Sequence, residues 1–239
     1  MKERGKIKKA TSKHRRLPIV AIDGPAGSGK STVAKQTAQR LKFQYLDTGA
    51  MYRSATLISI ETGISPDEPE RLAHEIQTHS FQFDFRPDTC RVQLDGRDIT
   101  EAIRSPELTQ LIGPVCEIPQ VRQFMGELQR QLGEGGGVVL EGRDIGTVIF
   151  PDAEVKIFLT ASAEVRARRR WLEQKAKGME LDFQKVFEDL IQRDQRDMNR
   201  DNAPLKPAAD AIIIDTGGMS IEEVVEQVIT IVKSKKEVN

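Results

Sequence analysis

Only two cysteines, Cys90 and Cys116, occur in 239 residues, and they have neither metal-ligand spacing nor the density of a disulfide scaffold. That excludes a disulfide-stapled secreted domain and a cysteine metal knuckle, and predicts two reduced thiols acting as small packing residues. No apolar run approaches the ~18 residues that cross a bilayer, and the charged N-terminus leads into no apolar leader segment. The expectation is a soluble protein of the cytoplasm with no membrane partner. Net charge is missing too, since 36 basic and 36 acidic side chains cancel. No overall field draws polyanions, and nothing requires nucleic acid as a partner. The chain also lacks internal repeats, low-complexity segments and the N/T-K-x-D motif by which a regulatory GTPase reads guanine.

What is present is 38% apolar and 30% charged, the balance of an ordinary globular chain long enough for one large domain or two small ones. Residues 1–16 stand apart. They carry eight basic side chains against the single acid Glu3 and almost no large apolar residue, which predicts a disordered, solvated tail without a role in activity.

Residues 17–22 form a short β-branched run that enters a glycine cluster, and 32–41 place Val33, Ala34, Thr37, Ala38 and Leu41 at helical spacing. Residues 43–46 predict a second strand, after which Asp47-Thr48-Gly49 caps a helix over about 50–61. This βαβ order implies a parallel sheet. A helix over 65–79 then precedes Phe81, Phe83, Phe85 and Val92, Leu94, which alternate at the strand period. They predict a small hairpin turning at Arg86-Pro87-Asp88, its second strand closed by Asp95-Gly96. Helices over 106–116 and 119–132 end at a glycine cluster, and strands over 138–140, 155–159 and 211–214 resume the sheet. Charged helices over 162–177 and 182–201 are joined at Gly178. Ser220 and Glu223 form a capping box that opens a last helix, with Ile221, Val224, Val225, Val228, Ile229 and Val232 on one face.

The loop Gly24-Pro25-Ala26-Gly27-Ser28-Gly29-Lys30-Ser31-Thr32 satisfies G-x-x-x-x-G-K-[ST] between a predicted strand and helix, the context that makes the motif a phosphate cradle. Its glycines let backbone N–H groups reach phosphate oxygens, and the helix dipole adds positive potential. Lys30 would bridge the β- and γ-phosphates of ATP, and the Ser31 hydroxyl would hold Mg2+. Arg53 and Arg143 follow later strands and should point into the crevice at the strand ends, as bidentate partners for a second phosphate. Arg193, Asp197 and Arg200 fall on one face of the helix over 182–201. With Arg166, Arg168, Arg169 and Arg170 they predict a cationic hairpin closing over the transferring phosphates.

The loop at 24–32, together with Leu46-Asp47-Thr48-Gly49-Ala50-Met51-Tyr52-Arg53, Glu141-Gly142-Arg143-Asp144-Ile145-Gly146-Thr147-Val148, Phe150-Pro151-Asp152-Ala153, and Arg193-Asp197-Arg200 with Ala203-Pro204-Leu205, closely resembles the bacterial cytidylate kinases. The resemblance runs from about residue 17 to the C-terminus. It implies an α/β P-loop domain over 17–239 with a five-stranded parallel sheet. A nucleotide-monophosphate-binding insert with a small antiparallel hairpin would span about 62–105, and a helical lid about 162–200. It also implies transfer of the γ-phosphate of ATP to CMP or dCMP by a monomer in pyrimidine metabolism, with Mg2+. Carried over, Thr48, Arg53, Arg143 and Arg200 would hold the acceptor phosphate, Arg193 and Asp197 the sugar hydroxyls, and Arg122 and Asp144 the cytosine edge. Lys30, Arg143, Arg193 and Arg200 would neutralise charge during transfer. Two positions depart from the family pattern: Gly113 stands where a serine contact to the base is expected, and Glu141 where an aspartate is. A kinase of UMP or AMP, or a nucleotide-binding module without catalysis, are the rival readings.

Overall fold

Five short, mostly apolar runs lie side by side at the centre of the computed structural model, which describes residues 17–85, 90–176 and 178–236. The basic stretch 1–16 and the hairpin turn Arg86-Pro87-Asp88 fall outside the described residues. Strand β1 (Ile19–Asp23) leads to α1 (Lys30–Leu41), β2 (Gln44–Asp47) and α2 (Thr48–Thr62). The next segment holds α3 (Pro69–Thr78) and a three-stranded antiparallel sheet of β3 (Phe81–Phe85), β4 (Cys90–Leu94) and β5 (Arg97–Asp98). Helices α4 (Pro106–Glu117) and α5 (Pro119–Gly133) return the chain to β6 (Val138–Gly142) and β7 (Val155–Thr160). Helices α6 (Ala163–Ala176) and α7 (Phe183–Asn199), β8 (Ile212–Asp215) and α8 (Ile221–Lys236) complete the order. The main sheet runs β2-β6-β1-β7-β8, all parallel.

Side-chain alternation along the strands gives this sheet two cores. Ile19, Ala21 and Leu140 face one side and pack with Met51, Ala55 and Ile58 of α2, Leu108 and Val115 of α4, and Val121 and Met125 of α5. Val20, Ile22, Val139 and Ile157 face the other and pack with α1 and α8. Leu72 and Ile76 of α3 and Val92 and Leu94 of β4 join the α2 core. The insert thus shares its apolar contacts with the sheet.

The parallel register brings the chemistry to one edge. Asp23 pairs with Gly142 and Phe158, and Asp47 with Glu141, so the C-terminal ends of β1, β2, β6 and β7 are level. This is the edge where open α/β sheets bind ligands. Two features differ from the pattern expected from the sequence. The hairpin gains a third strand, β5, two residues long, and residues Ile145–Ile149 form a single π-helical turn closed by Phe150 N–H donating to the Ile145 carbonyl at 2.7 Å. Neither is long enough to show a period.

Candidate active site

The loop at 24–31 folds between β1 and α1 in a way its glycines alone permit. Gly24 has φ +149°, and a Cβ there would lie 2.1 Å from the carbonyl oxygen of Leu159; at Gly27, φ +75°, it would come within 2.8 Å of the Arg166 carbonyl. The loop is clasped between the end of β7 and the start of α6. Lys30 is buried at the first position of α1 and curls back, donating to the Pro25 carbonyl at 2.6 Å and reaching Ser28 Oγ at 3.4 Å. Burial, and then the Arg143 guanidinium, push its ammonium down to about 7, against the pull of Glu141 and Asp23. An anion bound in the loop would restore that charge, and the N-terminus of α1 adds to its attraction.

Beside the loop, β6 delivers Glu141-Gly142-Arg143-Asp144. Glu141 is buried and accepts from the Tyr45 hydroxyl at 2.8 Å, and the nearby Ser31 hydroxyl favours its charged form. Burial and then Asp47 raise its carboxyl above the usual range. Arg143 donates through Nε to Asp197 at 2.8 Å and through Nη1 to the Gly142 carbonyl at 3.3 Å. Burial also works against the Asp197 carboxylate, yet Arg143 and then Arg193 hold it below the usual range.

Around this pair the site holds more donors than acceptors. Arg193 is lowered to about 10 by burial and by Arg143, and among the described residues it takes no hydrogen bond or ion pair. Arg53 spends Nη2 on Asp47 at 2.8 Å but keeps a buried Nε without a partner among the described residues. Arg200 donates Nε to the Ala203 carbonyl at 2.6 Å, while its buried Nη2 stands 3.7 Å from Asp144 and makes no hydrogen bond. Buried donors left unpaired are costly. Several in one crevice, opposite a phosphate loop, are ready for an anion with many acceptor oxygens.

A second subsite adjoins them. Arg122 donates to Asp144 at 2.5 Å and to the Cys116 carbonyl at 3.2 Å, and its guanidinium lies 5.5 Å from the centre of the Tyr52 ring. Both members of the pair are buried, their side chains 6% and 7% exposed. The Tyr52 hydroxyl is buried and has no partner among the described residues. A planar group carrying donors and acceptors on one edge would meet the carboxylate, the guanidinium and the phenol together.

Residues 20–234 match the family described as Cytidylate kinase. The chain belongs to that family. It is 46% identical over 219 residues to the cytidylate kinase of Carboxydothermus hydrogenoformans, covering 92% of this chain and 99% of that one. It is 47% identical over 220 residues to that of Syntrophotalea carbinolica, covering 92% and 94%. A solved structure of an uncharacterized protein from Eubacterium ventriosum, 13% identical, shares the fold with a TM-score of 0.50 over 91% of this chain and 99% of that chain.

Within this cytidylate kinase fold the residues singled out in the sequence converge, with differences. Arg200 follows the last residue of α7 with extended backbone (φ −65°, ψ 139°), so it leaves the helix rather than sharing its face. The Thr48 hydroxyl donates to the Glu141 carbonyl at 2.7 Å, so its one proton is already engaged. The cationic hairpin is smaller than expected. Arg166 is buried and bonded to the Ala161 and Ala26 carbonyls and to Asp194, and Arg169 donates to Thr216. Both tie α6 to the rest of the fold, and Arg168 is exposed. Tyr52 was missed as a candidate, although it lies inside the quoted motif next to Arg53. At Gly113 a Cβ would stand 2.5 Å from Arg196 Nη1, so an arginine of α7 lies over this position.

The two thiols are packing residues. Burial raises each of Cys90 and Cys116 to about 12, which removes the thiolate needed for reactivity. Among the described residues no helix is long and apolar enough to cross a membrane.

Proposed function

We propose that this enzyme transfers the γ-phosphate of ATP to CMP or dCMP, giving ADP and CDP or dCDP. The observation that carries the reading is the surplus of unspent guanidinium donors on Arg53, Arg193 and Arg200, the last two around the Arg143–Asp197 pair and Arg53 beside Asp47 and Glu141. One phosphate loop needs one polyphosphate; the arginines need a second anion.

The loop at 24–31 and Lys30 take the donor phosphates. Arg53, Arg143 and Arg200 take the acceptor phosphate, Arg193 and Asp197 the sugar hydroxyls, and Arg122 and Asp144 the base. The acceptor monoester has its second pKa near ~6 and is already a dianion at neutral pH, so no general base is required. One of its oxygens attacks the γ-phosphorus as the bond to the bridging oxygen breaks and ADP leaves with the electron pair. The protein's work is to hold donor and acceptor in line and to neutralise charge that moves between them, for which Lys30 and Arg143 are adjacent.

The oxygen donors for Mg2+ fit: Ser31 Oγ and the Glu141 carboxylate lie together beside the loop, a set that a hard dication completes with phosphate oxygens and water. Bound there, Mg2+ would neutralise charge on the β- and γ-phosphates. The substrates and unreactive thiols suit the cytoplasm and pyrimidine nucleotide metabolism.

Phosphorus NMR of the protein with ATP and CMP tests this. ADP and CDP are expected to appear together without orthophosphate. Binding of both nucleotides with no new signals would leave a nucleotide-binding module in place of a kinase.

A further inference from the structure

Asp23 is the last residue of β1, buried immediately before the loop at 24–31. Its carboxylate turns toward β6. One oxygen accepts the Ile145 N–H at 2.9 Å and the other the Gly146 N–H at 2.8 Å. These are the first two N–H groups of the π-helical turn, which like those of any helical start have no partner within the turn. The backbone of Asp23 also lies opposite Gly142 in the β1–β6 register. A single residue therefore fixes the chain on both sides of Arg143-Asp144, by its main chain before them and by its side chain after them. Asp144, at φ −143° and ψ 23°, makes the turn between the two anchor points.

We propose that Asp23 is a positioning residue for the acceptor nucleotide, clamping Arg143 and Asp144 in register with the donor loop that begins at the next residue. The proposal rests on the reading of Arg143 as a phosphate contact and of Asp144 as a base contact. The clamp has little slack, because a Cβ on Gly146 would stand 3.3 Å from the Lys156 stem and 3.4 Å from Asp23 Oδ2.

The charged groups facing the Asp23 carboxylate are Asp144 and Lys30; the Lys156 ammonium turns away to the Pro151 carbonyl and Asp210. Burial outweighs the two N–H bonds and raises the carboxyl to about 6. Above that pH both oxygens accept. Below it one oxygen carries a proton, and the clamp loses a bond.

In the Asp23→Asn variant one oxygen becomes an amide NH2 that opposes an N–H. Its kcat/KM for CMP is expected to fall about 30-fold while the KM for ATP moves by less than about 2-fold. Equal effects on both substrates, or no effect on CMP, would overturn the proposal. A wild-type enzyme that fails to phosphorylate CMP at all would instead refute the reading beneath it. The wild type gives a second test that does not depend on the variant folding. The amide protons of Ile145 and Gly146 are expected to titrate with a midpoint at about 6. The inhibition constant of cytidine, which has no phosphate to ionise, is expected to weaken over the same range. Cytidine affinity that stays level while those amides titrate would contradict the clamp.

Discussion

In the Lys30→Met variant, turnover of CMP is expected to fall by about three orders of magnitude while the KM for CMP stays within about 3-fold. The side chain is buried, held by the Pro25 carbonyl, and sits where the fields of Arg143 and Glu141 meet. Methionine keeps most of the volume and removes the charge, so the change reads electrostatics rather than packing. In the free protein burial already weakens that charge, and the incoming donor phosphates complete it. The interaction therefore strengthens as negative charge passes across the bridging oxygen, which is the condition for lowering a barrier rather than merely binding substrate. Steady-state kinetics with each nucleotide varied in turn would check it. A variant that loses only CMP affinity would move Lys30 to the acceptor side.

The Asp144→Asn variant is expected to lower the preference for CMP over UMP by about 100-fold. Asp144 as a carboxylate only accepts, which suits the amino group of cytosine; an asparagine amide also presents N–H donors, which suit the carbonyl of uracil at the same edge. The change has a structural cost as well. Asp144 is the buried partner of Arg122 at 2.5 Å and stands 3.7 Å from Arg200, so losing its charge takes the nearest carboxylate from the buried Arg122 guanidinium and weakens the field on Arg200. Breaking a buried pair on one side costs about 3–5 kcal/mol, and the melting temperature is expected to drop by roughly 10 °C. Measuring kcat/KM for both nucleotides below the variant's melting range separates the two effects. A preference that survives in a folded variant would remove Asp144 from base recognition.

How much of this could be read from the sequence depends on how local each feature is. The phosphate loop was fully legible because the glycines, Lys30 and Ser31 are contiguous and their geometry follows from the strand and helix that flank them. The five parallel strands were legible for the same reason, each being a short apolar run between turn signals. The pairings that make the acceptor site were not. Arg143 and Asp197 are 54 positions apart, and Arg122 and Asp144 are 22 apart, so the family resemblance named them but only the fold shows which carboxylate meets which guanidinium. Arg166 shows the limit most clearly. Its spacing with Arg169 and Arg170 reads as a cationic face, yet it points inward to Asp194 and the Ala26 carbonyl, because the start of α6 packs directly on the loop at Gly27. Asp23 was hidden for the opposite reason. A single aspartate before a glycine loop carries no pattern, and its work is done on main-chain N–H groups that leave no trace in the residues it holds.

The most direct measurement of the central claim, that the second anion in this crevice is the phosphate of a cytidine nucleotide, is kcat/KM for CMP against UMP with ATP saturating. A site whose buried carboxylate and guanidinium are matched to the cytosine edge is expected to favour CMP by at least about 100-fold. Equal or faster turnover of UMP would contradict it.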